Sequence, residues 1–269
     1  MKRLFKVYEL QLMLALLGLI AALLIMTAIL PELSTGTILF LFALFWLPLL
    51  ALLFKHRRIR RHAWRRAYLH ETSPLQFWLQ GGLLMMLGQV IASGLLALAL
   101  LVSLARETPP GSWVLLLILV PIWSLFFSPL RARLSRHLSP QILSVYTASL
   151  MRWLCAGALL MLLTVAALWQ PVTDLREVTL SEAIQYFSLK QYANSRELQW
   201  LLQLVASVEG GMLWLAQNKL NNLSSDGLRL LGWGLVLVQK WLFIWPLLLL
   251  WEALTLVIYR RESELDRNS

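Results

Sequence analysis

The apolar residues of this chain come in unbroken runs of roughly 17–25 residues, the length that lets a helix cross the ~30 Å hydrocarbon core of a bilayer. No other feature limits the fold so strongly. In lipid every backbone N–H and C=O must be paired within the protein, so only helices or a closed barrel can span it. Strands of a barrel alternate apolar and polar residues, and these runs do not. Composition agrees: 59% of the 269 residues are hydrophobic and 14% charged, against about 45–50% and 25% in soluble domains. The expected fold is all-α, a polytopic membrane helix bundle. It has six transmembrane helices in three hairpins, plus amphipathic helices in a far-side (periplasmic) segment.

Five spans are expected within residues 1–169: about Gln11–Leu30, Ile38–Phe54, Leu83–Ala105, Trp113–Leu130 and Trp153–Trp169. Basic loops lie at 55–72 and 131–141, a far-side helical segment at 170–229, the last span within 230–259 and a tail at 260–269. The N-terminal run has the flanks of a signal peptide but is too long and lacks a cleavage site, which reads as a retained span. Ser73-Pro74 and Ser139-Pro140 open helices, serine capping free N–H groups and proline tolerating the first helical position. In the second helix of each hairpin a proline stands near a tryptophan: Trp46 and Pro48, Pro121 and Trp123, Trp245 and Pro246. That recurrence suits either a parallel repeat, as in some transporters, or the ordinary composition of membrane helices.

The net charge of +10 is unevenly placed. Lys55, Arg57, Arg58, Arg60, Arg61, Arg65 and Arg66 crowd one stretch of twelve residues with no acid among them. Lys2, Arg3 and Lys6, then Arg131, Arg133 and Arg136, then the tail arginines fall on the same side of a six-span chain, and the short turns opposite contribute only Arg106. Basic loops stay cytoplasmic, so the expected location is a bacterial inner membrane, multi-pass, with both termini cytoplasmic. The same residues suit anionic lipid headgroups or an acidic partner, and no nucleic acid is expected.

In the far-side segment, Thr179-x-x-Glu182 is a capping-box pattern and Asn194-x-x-Glu197 a looser one. Leu198, Leu201, Val205, Val208, Met212 and Leu215 then recur at helical spacing, with Gln199, Gln203 and Gly210 on another face. This predicts a helix at the interface or against the bundle, with Trp200 and Trp214 at headgroup depth. The alternative is a seventh span over Leu198–Gln217.

Four polar residues in or beside apolar runs are candidates for function: Arg152, Glu252, Lys240 and Gln89. Lys240 and Glu252 are about 18 Å apart along one helix, too far for both to sit at mid-membrane. A last span over Trp241–Tyr259 buries Glu252 and lets Lys240 reach the outer surface, whereas one over Leu230–Leu249 buries Lys240 and brings Glu252 to the cytoplasmic boundary; Arg260-Arg261 favour the first. One hypothesis is that Arg152, at the cytoplasmic end of the fifth apolar run, reaches inward to pair with Glu252. Alternatively Arg152 turns outward beside Trp153, and Glu252 is protonated or meets a partner subunit. Span 3 carries two small-x-x-x-small pairs for close helix packing, Gly88 with Ala92 and Ser93 with Ala97. Gly18 and Ala22 form a weaker one.

No reaction-specifying motif is present. His56, His62, His70 and His137 fall in the basic loops without metal-ligand spacing, and Ser93-Gly94 has no intramembrane histidine beside it. Cys155 is the sole cysteine, so no disulfide forms within the chain. The expectation is a non-enzymatic accessory or scaffold subunit of an envelope complex serving secretion, conjugation or envelope assembly, with no cofactor, catalytic residue or metal site. Its expected partners are membrane lipids and other membrane or envelope proteins. The alternative is a small transporter or permease subunit with a polar path near Glu252 and span 3. A lipid-modifying enzyme would have Glu252, Glu209 and Asp174 to draw on, with no motif linking them.

Overall fold

The computed structural model describes residues 2–68, 83–106, 110–168, 173–218 and 241–259. Among them all regular structure is helical: α1 (Lys2–Ile29), a 3-10 turn (Leu30–Glu32), α2 (Thr35–Tyr68), α3 (Leu83–Ala105), α4 (Pro110–Leu134), α5 (Pro140–Leu168), α6 (Leu180–Leu189), α7 (Arg196–Asn218) and α8 (Trp241–Tyr259). Six of these, α1 to α5 and α8, are long and apolar enough to cross a membrane.

Each span shows the same division of faces. On α1, Leu12, Leu16, Ile20 and Leu23 are buried while Leu14, Leu24 and Ile25 are exposed; on α2, Leu41, Phe45, Leu49 and Leu52 are buried while Phe40, Leu44 and Leu47 are exposed. Spacings of three and four residues keep each buried set on one face, and the outward leucines are what a lipid-facing surface requires. α1 packs on α4 and α3, α2 on α3, and α4 on α5. Lipid tails are as apolar as leucine, so helix association in a membrane rests on close packing and polar contacts rather than on burial alone. The aromatic contacts of α8 are of this kind: Trp251 meets Trp123 of α4 edge to face, Tyr259 meets Phe127, and Trp241 and Trp245 gather round Trp153 of α5.

The helices overrun several of the expected boundaries. α2 continues without a break through the basic stretch to Tyr68, so residues 55–68 are helix rather than loop. At 34 residues it is about 51 Å long, and its last turns project beyond a ~30 Å core. α5 begins at Pro140 and its apolar span covers Ile142–Val165. Arg152 therefore lies about 15 Å inside that span, not at its end.

α6 and α7 form an antiparallel pair on the face away from the basic stretch. Thr179 and Glu182 make the reciprocal capping box that starts α6. α7 begins one residue later than its sequence suggests, because Ser195 accepts from the Leu198 N–H and Asn194 is engaged elsewhere, with the carbonyls of Pro31 and Glu32. The buried face of α7 is Leu198, Leu202, Ala206 and Gly210, so Gly210 faces inward while Val208 and Leu215 face outward, contrary to the expected face. Gly210 is where α6 approaches most closely: a Cβ there would lie 2.9 Å from the Ala183 carbonyl oxygen and from a Phe187 ring carbon. Behind the pair, residues 173–178 are strapped to the end of α7 by Trp214, Gln217 and Asn218.

Two contacts fix how α7 lies. Near its start, Glu197 and Ser195 accept hydrogen bonds from Thr35, at the turn between α1 and α2. Further along, Glu209 pairs with Arg106 at the end of α3. Thr35 and Arg106 belong to the same end of the bundle, and Glu197 and Glu209 are separated by about 18 Å of helix. α7 consequently runs across the far ends of the spans and is not a seventh crossing.

Candidate functional site

Glu252, Thr255 and Tyr259 stand at i, i+3 and i+7 on α8 and share its inward face. All three are buried, Glu252 completely. A lone carboxylate there would be costly, since desolvating an ion costs several kcal/mol. Two other helices supply its partners. Arg152 of α5 forms an ion pair with one carboxylate oxygen. His56 of α2 brings Nε2 to 2.8 Å from the other, Oε1, off the line of an aligned hydrogen bond. The guanidinium is held in turn, with a hydrogen bond of 3.3 Å to Ser149 one turn earlier and its Cζ 4.6 Å from the Trp245 ring centroid.

The cluster thus joins α2, α5 and α8 at one point. With His56 neutral, its formal charges cancel; a proton on the imidazole would add one positive charge. Lys55, Arg57 and Arg58 flank His56 on its own helix and are exposed. Toward the same end of the bundle the polar contacts continue between α8 and α4. Trp123 donates to Thr255 over 3.2 Å, Ser128 and Tyr259 share a hydrogen bond of 3.3 Å, and the Arg131 guanidinium lies 4.8 Å over the Tyr259 ring.

His56 was not legible as a site residue because the apolar run stops at Phe54. Its signal was periodicity: Leu41, Phe45, Leu49, Leu52 and His56 follow the helical repeat, so an unbroken helix places the imidazole on the buried face.

The other candidates separate. Lys240 lies outside the described residues. Gln89 is half-buried on the flank of α3. Gly88 is exposed, with nothing among the described residues close to it, and Ala92 is half-buried, so among the described residues no helix packs closely at that pair; the same holds at Gly18. Ser93 and Ala97 are buried. Ser93 accepts a 2.8 Å hydrogen bond from Trp46 of α2, and Gly94 beside it faces Phe42 and Trp46. Of the basic set, Lys55, Arg57 and Arg58 are exposed on α2; Arg60, Arg61, Arg65 and Arg66 continue that helix, and their side chains lie outside the described residues.

The far face carries the second feature of note. Trp200, Leu204, Val208 and Leu215 form a stripe along α7, each exposed and Trp200 by 60%. Helical geometry puts this stripe about a quarter-turn or more from the bundle-facing residues Leu198 and Leu202. Arg106 and Glu209, which hold α7 beneath it, are not marked by any local sequence pattern.

These features define the class: a multi-pass helical membrane protein with a buried three-helix charge cluster and an amphipathic platform across one end. Comparison with protein-family models, with curated proteins and with solved structures finds no match.

Proposed function

We propose that this protein is a non-enzymatic accessory or scaffold subunit of a larger complex in the bacterial envelope, of the kind that serves secretion, conjugation or envelope assembly. The observation that carries the proposal is the uncovered stripe Trp200, Leu204, Val208 and Leu215. Contiguous exposed apolar residues mark interaction surfaces, and spacings of four and seven residues suit a partner helix laid alongside. The clamps at Thr35 and Arg106 hold the stripe in a fixed orientation, which lowers the ordering cost of association. The test is stoichiometric copurification in mild detergent, compared between the native chain and a Leu204→Asp/Val208→Asp variant. A partner lost in the variant supports the proposal; recovery of the native chain alone as a stable monomer overturns it.

The proposal includes a cytoplasmic location for both termini. The exposed Lys55, Arg57 and Arg58, with Arg131, Arg133 and Arg136 nearby in the topology, support that orientation by the distribution of basic residues. Reporter fusions at the C-terminus test it.

A transporter reading draws on a different observation, the imidazole of His56 beside the buried Glu252 carboxylate, since intramembrane His and carboxylate groups recur in proton relays. Single cysteines along α3 and α8, in a Cys155→Ala background, distinguish the two. Labelling by aqueous thiol reagents through the depth of the bundle favours transport, and protection favours the scaffold.

A further inference from the structure

Between α4 and α5 the outer surface of the bundle is indented by a groove of about 490 Å³, within the range of small-molecule sites. Its floor is Leu119, Met151 and Cys155, Phe126 stands at its rim, and the small side chain of Ala158 leaves it open. The lining is apolar until its end on the basic side, where Arg133 enters it.

The dimensions and the charge identify an occupant. Along α4 the lining runs from Leu115 to Arg133, eighteen residues or about 27 Å. That is long enough to cover one leaflet with its headgroup, about half of a bilayer ~40–45 Å thick. The groove opens on the surface that faces lipid, and its single cation stands where a headgroup would. Arg131 and Arg136 flank Arg133, and no acidic residue occurs from Leu130 to Gln141. A guanidinium pairs geometrically with phosphate oxygens, and the surrounding positive potential selects against a headgroup that carries its own ammonium.

We propose that this groove is a binding site for an anionic phospholipid of the leaflet on the basic face. One acyl chain lies between α4 and α5, and Arg133 pairs with the phosphate. The site is independent of the stripe on α7 and of the charge cluster at Glu252.

Native mass spectrometry of the purified full chain tests the site, with phosphatidylglycerol and phosphatidylcholine of identical acyl chains added separately. The native chain is expected to retain phosphatidylglycerol in preference to phosphatidylcholine. Arg133→Gln is expected to reduce that preference about fivefold, one basic residue's share of the attraction to anionic lipid. Ala158→Phe, which fills the groove, is expected to reduce retention of both lipids, and Leu125→Phe, exposed on α4 outside the groove, to leave it unchanged. Arg133 is exposed near the end of α4, so its variant reads the headgroup contact without disturbing the packing, whatever the fate of Ala158→Phe. Equal retention of the two lipids by the native chain, or an Arg133→Gln variant with undiminished preference, overturns the proposal.

Discussion

Arg152 on α5 and Glu252 on α8, 100 residues apart in the chain, form an ion pair in the interior of the bundle. Removing one member of a buried pair leaves the other uncompensated, at a cost of about 3–5 kcal/mol. Arg152→Ala and Glu252→Ala are each expected to lower the melting temperature in detergent and the yield of folded protein. The reversed double variant, Arg152→Glu/Glu252→Arg, is expected to recover part of both. A double variant no better than the singles would argue against a direct pair.

His56 is the lesser partner of that carboxylate. Glu252 keeps its arginine when the imidazole is removed, so His56→Ala leaves a contact unmade rather than a charge unpaired. The expected loss is about 1–3 kcal/mol, smaller than for Arg152→Ala, and thermal unfolding of the two variants side by side measures it.

Gly210 and Gly211 are neighbours with opposite expectations. A Cβ at Gly210 would press on the Ala183 carbonyl and the Phe187 ring at 2.9 Å, whereas at Gly211 the nearest atom is 3.9 Å away. Gly210→Ala is therefore expected to cost about 1–3 kcal/mol by overpacking and to loosen α6 from α7. Gly211→Ala is expected to be tolerated. Limited proteolysis between residues 173 and 195 reports the difference.

Two carboxylates make the platform sensitive to acid. Hydrogen bonds from the Thr179 backbone and side chain hold the Glu182 pKa below its ordinary value, and those from Thr35, foremost, and Ser195 do the same for Glu197. A carboxylate depressed in the folded state contributes stability in full above its unfolded pKa, about 4.3. It loses that contribution as pH falls through the lower folded value. Amide exchange at the first turns of α6 and α7, corrected for the intrinsic rate, is expected to rise on acidification below about pH 4 before the spans unfold. Protection that persists until the whole bundle melts would contradict this.

How far the sequence carried can be read from individual residues. Glu252 and Arg152 stood out because a charge inside an apolar run is costly and rare, and the capping box at Thr179 is a local pattern. The six spans follow from length and hydropathy. His56 did not stand out, because hydropathy marks where a membrane helix leaves lipid and not where the helix ends; α2 carries on past its apolar run. Nor did Arg106 with Glu209, 103 positions apart, or Asn194, which ties to the turn after α1 rather than capping α7. These pairings depend on how distant helices meet. The face of α7 was misjudged for a related reason: it is apolar around much of its circumference, and packing against both the bundle and α6 decided which residues are covered.

By the proposed function, the outward stripe of α7 docks a protein partner. The most direct measurement is photo-crosslinking in cells with benzoylphenylalanine at position 208 on the stripe, against a control at position 125 on the lipid-facing side of α4. A discrete heavier protein adduct from position 208 and none from position 125 is the predicted result. Lipid adducts alone at both positions would contradict it.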